Sequence, residues 1–478
     1  MKKYNFNKFG IFLLSVFMMG TVGCTDDLNI NSDPLAALEV DPSLLFPTIM
    51  VSVSQNRTIE LGPQTEFWSQ QWTSGGSAGV FRNPEIYITS PNSTNNLFVG
   101  QYSTALRNLQ QIRVLTLRNN PEADNIIGQA KVFESFVFLN LTLFYGDIPF
   151  SEATQVVEFP NPNFDMQEQV LRGIVDRLDE GIDLLSTETD IITNGDLLYN
   201  GDRQAWIRFA NTLKLKTLML IANKDPSVAP QIQAVANSSF IMENSQNAYF
   251  PYSEEVGNEN PLWRLINNFS GGENAFLFSG STLVDIMNNN DDPRRATYFD
   301  EVEDGGYVGQ DQGVFSSAGI SPVSLNILRP DLEDRYATAS ESYYLLAEAA
   351  IKGFISGDAQ EFYTQGLMAS LDSYDGQPGE IAQADKDAYL ASSRGSLDGL
   401  TNDKAIQQIS EEQYVALFTR GLEAWTHWKR TKTPDFMLPV DAVVGDIIRR
   451  IQIPLSEISS NPNAPDVVPI TTPMWFEN

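Results

Sequence analysis

Apolar residues recur at steps of three and four along most of this chain, the period of amphipathic helices packed against a core. Leu171, Ile174, Val175, Leu178, Ile182 and Leu185 form one stripe between charged faces. Phe133, Val137, Leu141 and Phe144 repeat the spacing within residues 128–145, and Trp206, Phe209, Leu213 and Leu220 do so within 203–224. Toward the C-terminus Tyr363, Leu367, Leu371 and Tyr374 make another stripe, and Tyr414, Leu417, Gly421, Trp425 and Trp428 a longer one. Asn119-Asn120-Pro121 and the stretch from Gly353 to Gly357 interrupt the pattern between neighbours. Short connections of this kind predict antiparallel helix pairs, and stacked pairs predict a solenoid-like core. No strict repeat of about 34 residues is visible, so tetratricopeptide-type units, if this is their origin, have diverged.

Between Ser227 and Asp334 the period fades and Asn, Gly, Ser and aromatic residues take over, as in Asn258-Glu259-Asn260-Pro261-Leu262-Trp263 and Gly305-Gly306-Tyr307. The expected organisation is a mostly α scaffold over about residues 46–226 and 335–478, forming one domain across 46–478. It carries a loop-rich insert with short helices and strands over about 227–334. Long irregular stretches on a rigid scaffold are where binding sites are usually placed.

The N-terminus has a different pattern. Lys2, Lys3 and Lys8 precede an almost wholly apolar run from Phe9 to Gly20, and Thr21-Val22-Gly23 leads into Cys24, the sole cysteine. Residues 1–23 therefore have the layout of an export signal, too short for a stable membrane span. Cys24 at the cut point resembles the lipobox of a bacterial lipoprotein, although Thr21 stands where Leu is usual. Lipid chains contribute roughly 0.8 kcal/mol per buried methylene, so a multiply acylated cysteine holds firmly to a membrane. Residues 24–45, rich in Asn, Asp and Pro without helical period, are expected to be an extended tether. Asp26 and Asp27 resemble the surface-export signal of Bacteroidota lipoproteins, and a plain solvated linker would share that composition.

Removal of residues 1–23, with three lysines and no acid, takes the formal charge from −30 to −33. Such a surface repels nucleic acid and anionic polymers and leaves neutral or cationic ligands as candidates. One cysteine cannot form an internal disulfide, so a buried core must hold the fold. No later apolar run approaches the roughly eighteen residues of a spanning helix.

Several blocks, in fixed order, carry a family resemblance. The first runs from Ala130-Lys131-Val132-Phe133-Glu134-Ser135-Phe136 to Leu143-Phe144-Tyr145-Gly146-Asp147-Ile148-Pro149. Then come Trp206-Ile207-Arg208-Phe209-Ala210-Asn211, Asp292-Pro293-Arg294-Arg295 and residues 341–350. Gly421-Leu422-Glu423-Ala424-Trp425, Trp428-Lys429-Arg430-Thr431 and Arg449-Arg450-Ile451-Gln452-Ile453-Pro454 complete the series. Together they resemble the SusD/RagB family of outer-membrane glycan-binding lipoproteins, in its SusD-like branch. The resemblance implies an α/α superhelix of four tetratricopeptide-like helix pairs bearing variable loops. It also implies a cell-surface lipoprotein that captures oligosaccharides and closes over a SusC-type TonB-dependent transporter barrel. Read as residues, these blocks are structural: Gly146 and Pro149 end a helix, Trp206, Trp425 and Trp428 lie on core stripes, and Asp292 is expected to hold Arg294 or a backbone amide in a turn.

Candidate chemistry is sparse. Glycoside hydrolysis needs two carboxylates at a set separation, and among 61 acids no local pattern selects a pair. His427, the sole histidine, cannot make a zinc site by itself and has no Ser or Cys arrangement beside it, so a packed or capping role is expected. Gly75-Gly76 and Gly271-Gly272 lack the following Lys-Ser/Thr of a phosphate loop. Asn288 to Asp292 lacks the EF-hand spacing and reads as a turn rather than a calcium site. No catalytic residue and no cofactor is expected. A peptide- or protein-binding relative is the main alternative, and a helical glycosidase the next.

A pyranose needs a flat ring for its apolar face and planar donors and acceptors for its hydroxyls. One face of about 60 Å² contributes on the order of 1.5 kcal/mol. Two or three platforms would therefore give roughly micromolar to millimolar affinity. Aromatics in loops are the candidates. Trp72, Phe81, Arg82, Tyr87 and Trp263 are expected to line one shallow site, with Asn83, Asn260 and Tyr307 as further contacts. Phe276 and Phe278 are expected to be buried.

Overall fold

A helix starts at Pro42, four residues inside the stretch whose composition suggested tether. Asp41 caps it, its carboxylate accepting from Ser43 N at 2.9 Å, and Pro42 supplies a preset φ at the first position. This helix is α1 (Pro42–Gln55). The computed structural model describes residues 40–76, 79–92 and 94–477. The leader, Cys24 and residues 24–39 of the tether lie outside the described residues.

The scaffold is a run of paired helices, as the apolar period predicts. α2 (Arg107–Asn119) lies against α1 and against α3 (Asp124–Tyr145), which pairs with α4 (Gln167–Leu185). Next, α5 (Arg203–Ala222) packs on α4 and on α6 (Ala339–Ile351), which pairs with α7 (Ala359–Leu371). α8 (Asn402–Ala416) crosses α6 and leads into α9 (Gly421–Thr431). The insert contributes short helices and one strand to each of two small antiparallel sheets, whose other strands lie outside it or at its edge. β1 (Trp72–Ser74) pairs with β3 (Leu277–Ser279), and β2 (Ala248–Phe250) with β4 (Asp334–Ala337).

α3 is the axis of this packing. It is long and apolar enough, by length and composition, to cross a membrane, yet 89% of its most apolar window is buried within the protein. Partners on several sides explain why it is apolar nearly all round. Gly146 ends it at φ +84°, and a Cβ there would sit 2.8 Å from the Arg450 guanidinium. Asp147 then accepts from Gln167 N at 2.8 Å, anchoring the start of α4. The Tyr145-Gly146-Asp147-Ile148-Pro149 block is thus the joint between two paired helices.

The long stripe from Tyr414 to Trp428 is two helices, not one. Thr419 takes φ +67° between α8 and α9. Gly421 lets the start of α9 press on the helix Gly62–Trp68: a Cβ there would lie 2.5 Å from Glu66 N. The spacing stays near-helical through the turn because residues on both sides face the interior.

Charge is buried in two main clusters. In one, Arg57 meets Asp334 at 3.2 Å and Glu423 at 3.3 Å, Lys216 meets Glu341 at 3.0 Å, and Arg420 meets Glu341 at 2.7 Å. Burial pushes the Glu423 carboxyl up, but Arg57, Lys216 and Arg420 outweigh it and hold it down to about 2. In the other, Asp292 accepts from both Arg294 N and Arg294 Nε at 2.9 Å, so the expected turn makes both bonds at once. Arg294 also meets Glu412 at 2.5 Å, and Glu412 accepts from Tyr389 at 2.7 Å and lies 2.8 Å from Arg394. Removing one partner of a buried ion pair strands the other and costs about 3–5 kcal/mol. Arg294→Met should therefore lower stability by that order in urea denaturation, and Arg294→Met combined with Asp292→Asn should recover part of the loss.

His427 is buried in α9, where its Nε2 pairs with Ser410 O at 2.9 Å, the packed role expected of it. Burial, then the nearby Arg430, push its pKa down to about 3. A folded-state value below the unfolded one of about 6.5 means the unfolded chain binds the proton first, so stability falls as pH drops from about 6.5 toward 3. Since the chain has one histidine, His427→Gln should flatten that part of the acid limb in melts between pH 7 and 4. An unchanged slope would assign the limb to the carboxylates alone.

Candidate functional site

The loops around β1 gather three distant segments onto one face. Past Ser74 the chain slips between two neighbours: Gly75 N donates to Phe276 O at 2.9 Å, and a Cβ on Gly76 would lie 2.9 Å from Phe315 O. A Cβ on Gly75 would come within 2.4 Å of the Phe278 ring. Only glycine permits so close a passage.

The helix Gly79–Glu85 follows and ends on a fully buried carboxylate. Glu85 accepts from Ser74 N at 2.8 Å, Ser74 Oγ at 2.5 Å and Gly313 N at 2.8 Å, so one side chain ties together β1, its own helix and the segment before Phe315. Burial pushes its pKa up to about 6, against the pull of the bonds from Ser74 and Gly313. With both oxygens engaged, it positions the loops and is spent for other chemistry.

On that helix Arg82 and Asn83 are exposed. The Arg82 guanidinium sits 4.3 Å from the centroid of the Phe315 ring. Phe315 holds φ +56°, a costly left-handed conformation for a bulky residue. Phe276, expected to be buried, keeps part of its ring open, while Phe278 is buried as expected. The face therefore offers a stacked guanidinium and ring, an exposed amide and a second ring edge.

Four of the residues expected to touch ligand are structural. Trp72 is 2% exposed and packs edge-on against Phe418 at 5.8 Å, because pairing of β1 with β3 draws it into the core. Phe81 packs on Phe67 at 5.7 Å, and Tyr87 is buried in the main core. Asn260 caps the helix Pro261–Ser270, accepting from Leu262 N at 2.9 Å and Trp263 N at 3.3 Å, while its amide donates to Leu332 O at 2.8 Å. Trp263 is part-exposed in the first turn of that helix. Tyr307 lies in a separate cleft of about 590 Å³, its ring beneath Arg295 at 5.7 Å. Of the eight, then, the structure places Arg82 and Asn83 together on an open face. Cys24 lies outside the described residues.

Phe315 and Glu85 were not found from sequence. Each lies in a segment without period, and each owes its role to contacts with distant segments. In the Asn288–Asp292 turn, Asn288 Oδ1 accepts from Arg295 at 3.3 Å, the exposed Asp291 pairs with Arg295 at 3.4 Å and the buried Asp292 holds Arg294.

Residues 34–454 match the SusD-like family described as "Starch-binding associating with outer membrane". No curated protein matches the sequence. Among solved structures, a SusD homolog from Bacteroides fragilis superposes with a TM-score of 0.77 at 23% identity, covering 92% of this chain and 99% of that one. A chitin-binding SusD homolog from Flavobacterium johnsoniae gives 0.76 at 20% identity, over 91% of this chain and 98% of the other. A SusD-like protein from Bacteroidetes gives 0.79 at 20% identity, over 92% and 100%. These likenesses fall on the helix-pair architecture, and the family match spans most of the chain. The protein belongs to the SusD-like family.

Proposed function

We propose that this chain is a non-catalytic receptor that captures oligosaccharides on the Arg82–Phe315 face and delivers them to a SusC-type TonB-dependent transporter in the outer membrane. Cys24, once lipidated, would tether it there with its loops facing the cell exterior. The observation that carries the reading is the exposed guanidinium stacked 4.3 Å from Phe315, on segments that Glu85 ties together. A guanidinium fork stacked on a ring offers an apolar surface and donors to a sugar, without a preformed cavity. The family's association with starch, and with chitin for one structural neighbour, supports neutral glycans as the ligand class, as does the net charge of −30.

Support for a binding rather than a hydrolytic role comes from the same face. Glycosidases need two carboxylates about 5–10 Å apart with free oxygens, and Glu85 beneath this face is bonded through both of its own.

Loss of one stacking or hydrogen-bonding partner is worth about 1 kcal/mol, or roughly five-fold in affinity. Arg82→Ala and Phe315→Ala should each weaken binding of starch- or chitin-derived oligosaccharides by about that factor in calorimetric titrations, with little change in melting temperature. Trp72→Ala should instead cost about 3–5 kcal/mol of stability, as expected for a buried tryptophan. Titrations unaltered by both face variants would remove this face as the site. Retention of oligopeptides in place of every glycan would favour the peptide-binding alternative.

A further inference from the structure

A second cleft, of about 670 Å³, opens where β2 meets the beginning of α6 and the later turns of α7. It shares no residue with the Arg82 face. Its volume falls within the roughly 300–1,000 Å³ of small-molecule sites.

Two tyrosines define it. Tyr249 lies on β2 between buried Ala248 and Phe250, so strand alternation turns its ring outward, 41% exposed. Tyr343, in the first turns of α6, is only 8% exposed. Its hydroxyl makes no hydrogen bond among the described residues and, unlike that of neighbouring Tyr344, is not sealed from solvent but opens to the cleft. It is left to bond whatever fills the cleft. Met242 and Met368 add adaptable apolar surface at the rim.

The charges of the cleft select among ligands. Arg335 on its floor is already held by Glu333 at 2.7 Å and by Ser373 O at 3.2 Å. Asp331 is paired with Arg329 at 2.8 Å, while Asp372 and Asp375 share the single ammonium of Lys386. Glu243 has no cation beside it among the described residues. Five carboxylates thus face three cations, Arg329, Arg335 and Lys386. An anionic ligand is disfavoured here, and a positive amine would take up the excess.

We propose that this cleft is a second binding site, for a short polyhydroxylated ligand bearing an amine, with oligomers of glucosamine as the test case. The Tyr249 ring takes the apolar sugar face, the Tyr343 hydroxyl bonds a ring hydroxyl, and Glu243 receives the ammonium. The site stands apart from the reading of the Arg82 face, and each can fail without the other.

The full chain is titrated calorimetrically with a glucosamine trimer, its N-acetylated counterpart and trilysine. Wild type should bind the glucosamine trimer, and Tyr249→Ala and Tyr343→Phe should each weaken it about five-fold. Glu243→Gln should weaken the amine form and spare the acetylated one, and the tyrosine and Glu243 effects should persist in an Arg82→Ala background. Melting temperatures check folding, and Tyr249→Ala, at an exposed position, carries the test if Tyr343→Phe proves unstable. No binding of the glucosamine trimer at millimolar concentration would overturn the proposal. So would tyrosine variants that titrate like wild type, or trilysine binding as tightly as the sugar.

Discussion

Three cations and three carboxylates sealed at the centre of the protein set the conditions for the rest of the fold. Arg57, Lys216 and Arg420 balance Asp334, Glu341 and Glu423, and all six side chains are 9% exposed or less. They come from the turn after α1, from α5, from β4, from α6 and from α9 with the residue before it. Arg57 reaches 277 residues along the chain to Asp334 and 366 to Glu423. Packing that shifted any one of these elements would leave an unpaired charge in a low-dielectric interior, at a cost of several kcal/mol. Helix stripes alone tolerate sliding; this network does not.

The network also explains local irregularities. Arg57 sits on a π-helical turn, Asn56–Glu60, which directs its guanidinium against the packed rings of Phe136 and Tyr336, 5.4 Å from each. A seventh group, Glu66, lies nearby, and burial together with Glu423 pushes its pKa well up. The scaffold gains a fixed geometry from groups that would be liabilities if any were unmatched.

That rigidity is what would let short loops serve as the proposed binding face. The segments bearing Gly75 and Phe315 carry little regular structure and Arg82 rides on a two-turn helix, yet Glu85 ties all three together. A ring held at an unfavourable φ and a guanidinium already stacked lose little further entropy when a ligand arrives. The second cleft differs in kind. It is made by the scaffold itself, from one strand and two helices, and its open feature is a phenol without a partner rather than a preformed stack.

The amino-acid order alone determines the helical scaffold. The stripes of α3, α4 and α5 are read from spacing because burial of one helix face is a local, periodic demand. The Gly146 and Pro149 stop is legible for the same reason, since backbone limits act within a few residues. Exposure of loop aromatics carries no such period. Trp72 and Trp263 look alike in sequence, yet β1 pairing with β3 buries the first, and position on a helix end leaves the second part-exposed. Phe315 and Glu85 become functional candidates only when segments more than two hundred residues apart meet. Helices answer to neighbours along the chain, whereas a loop's surface is decided by what folds back against it.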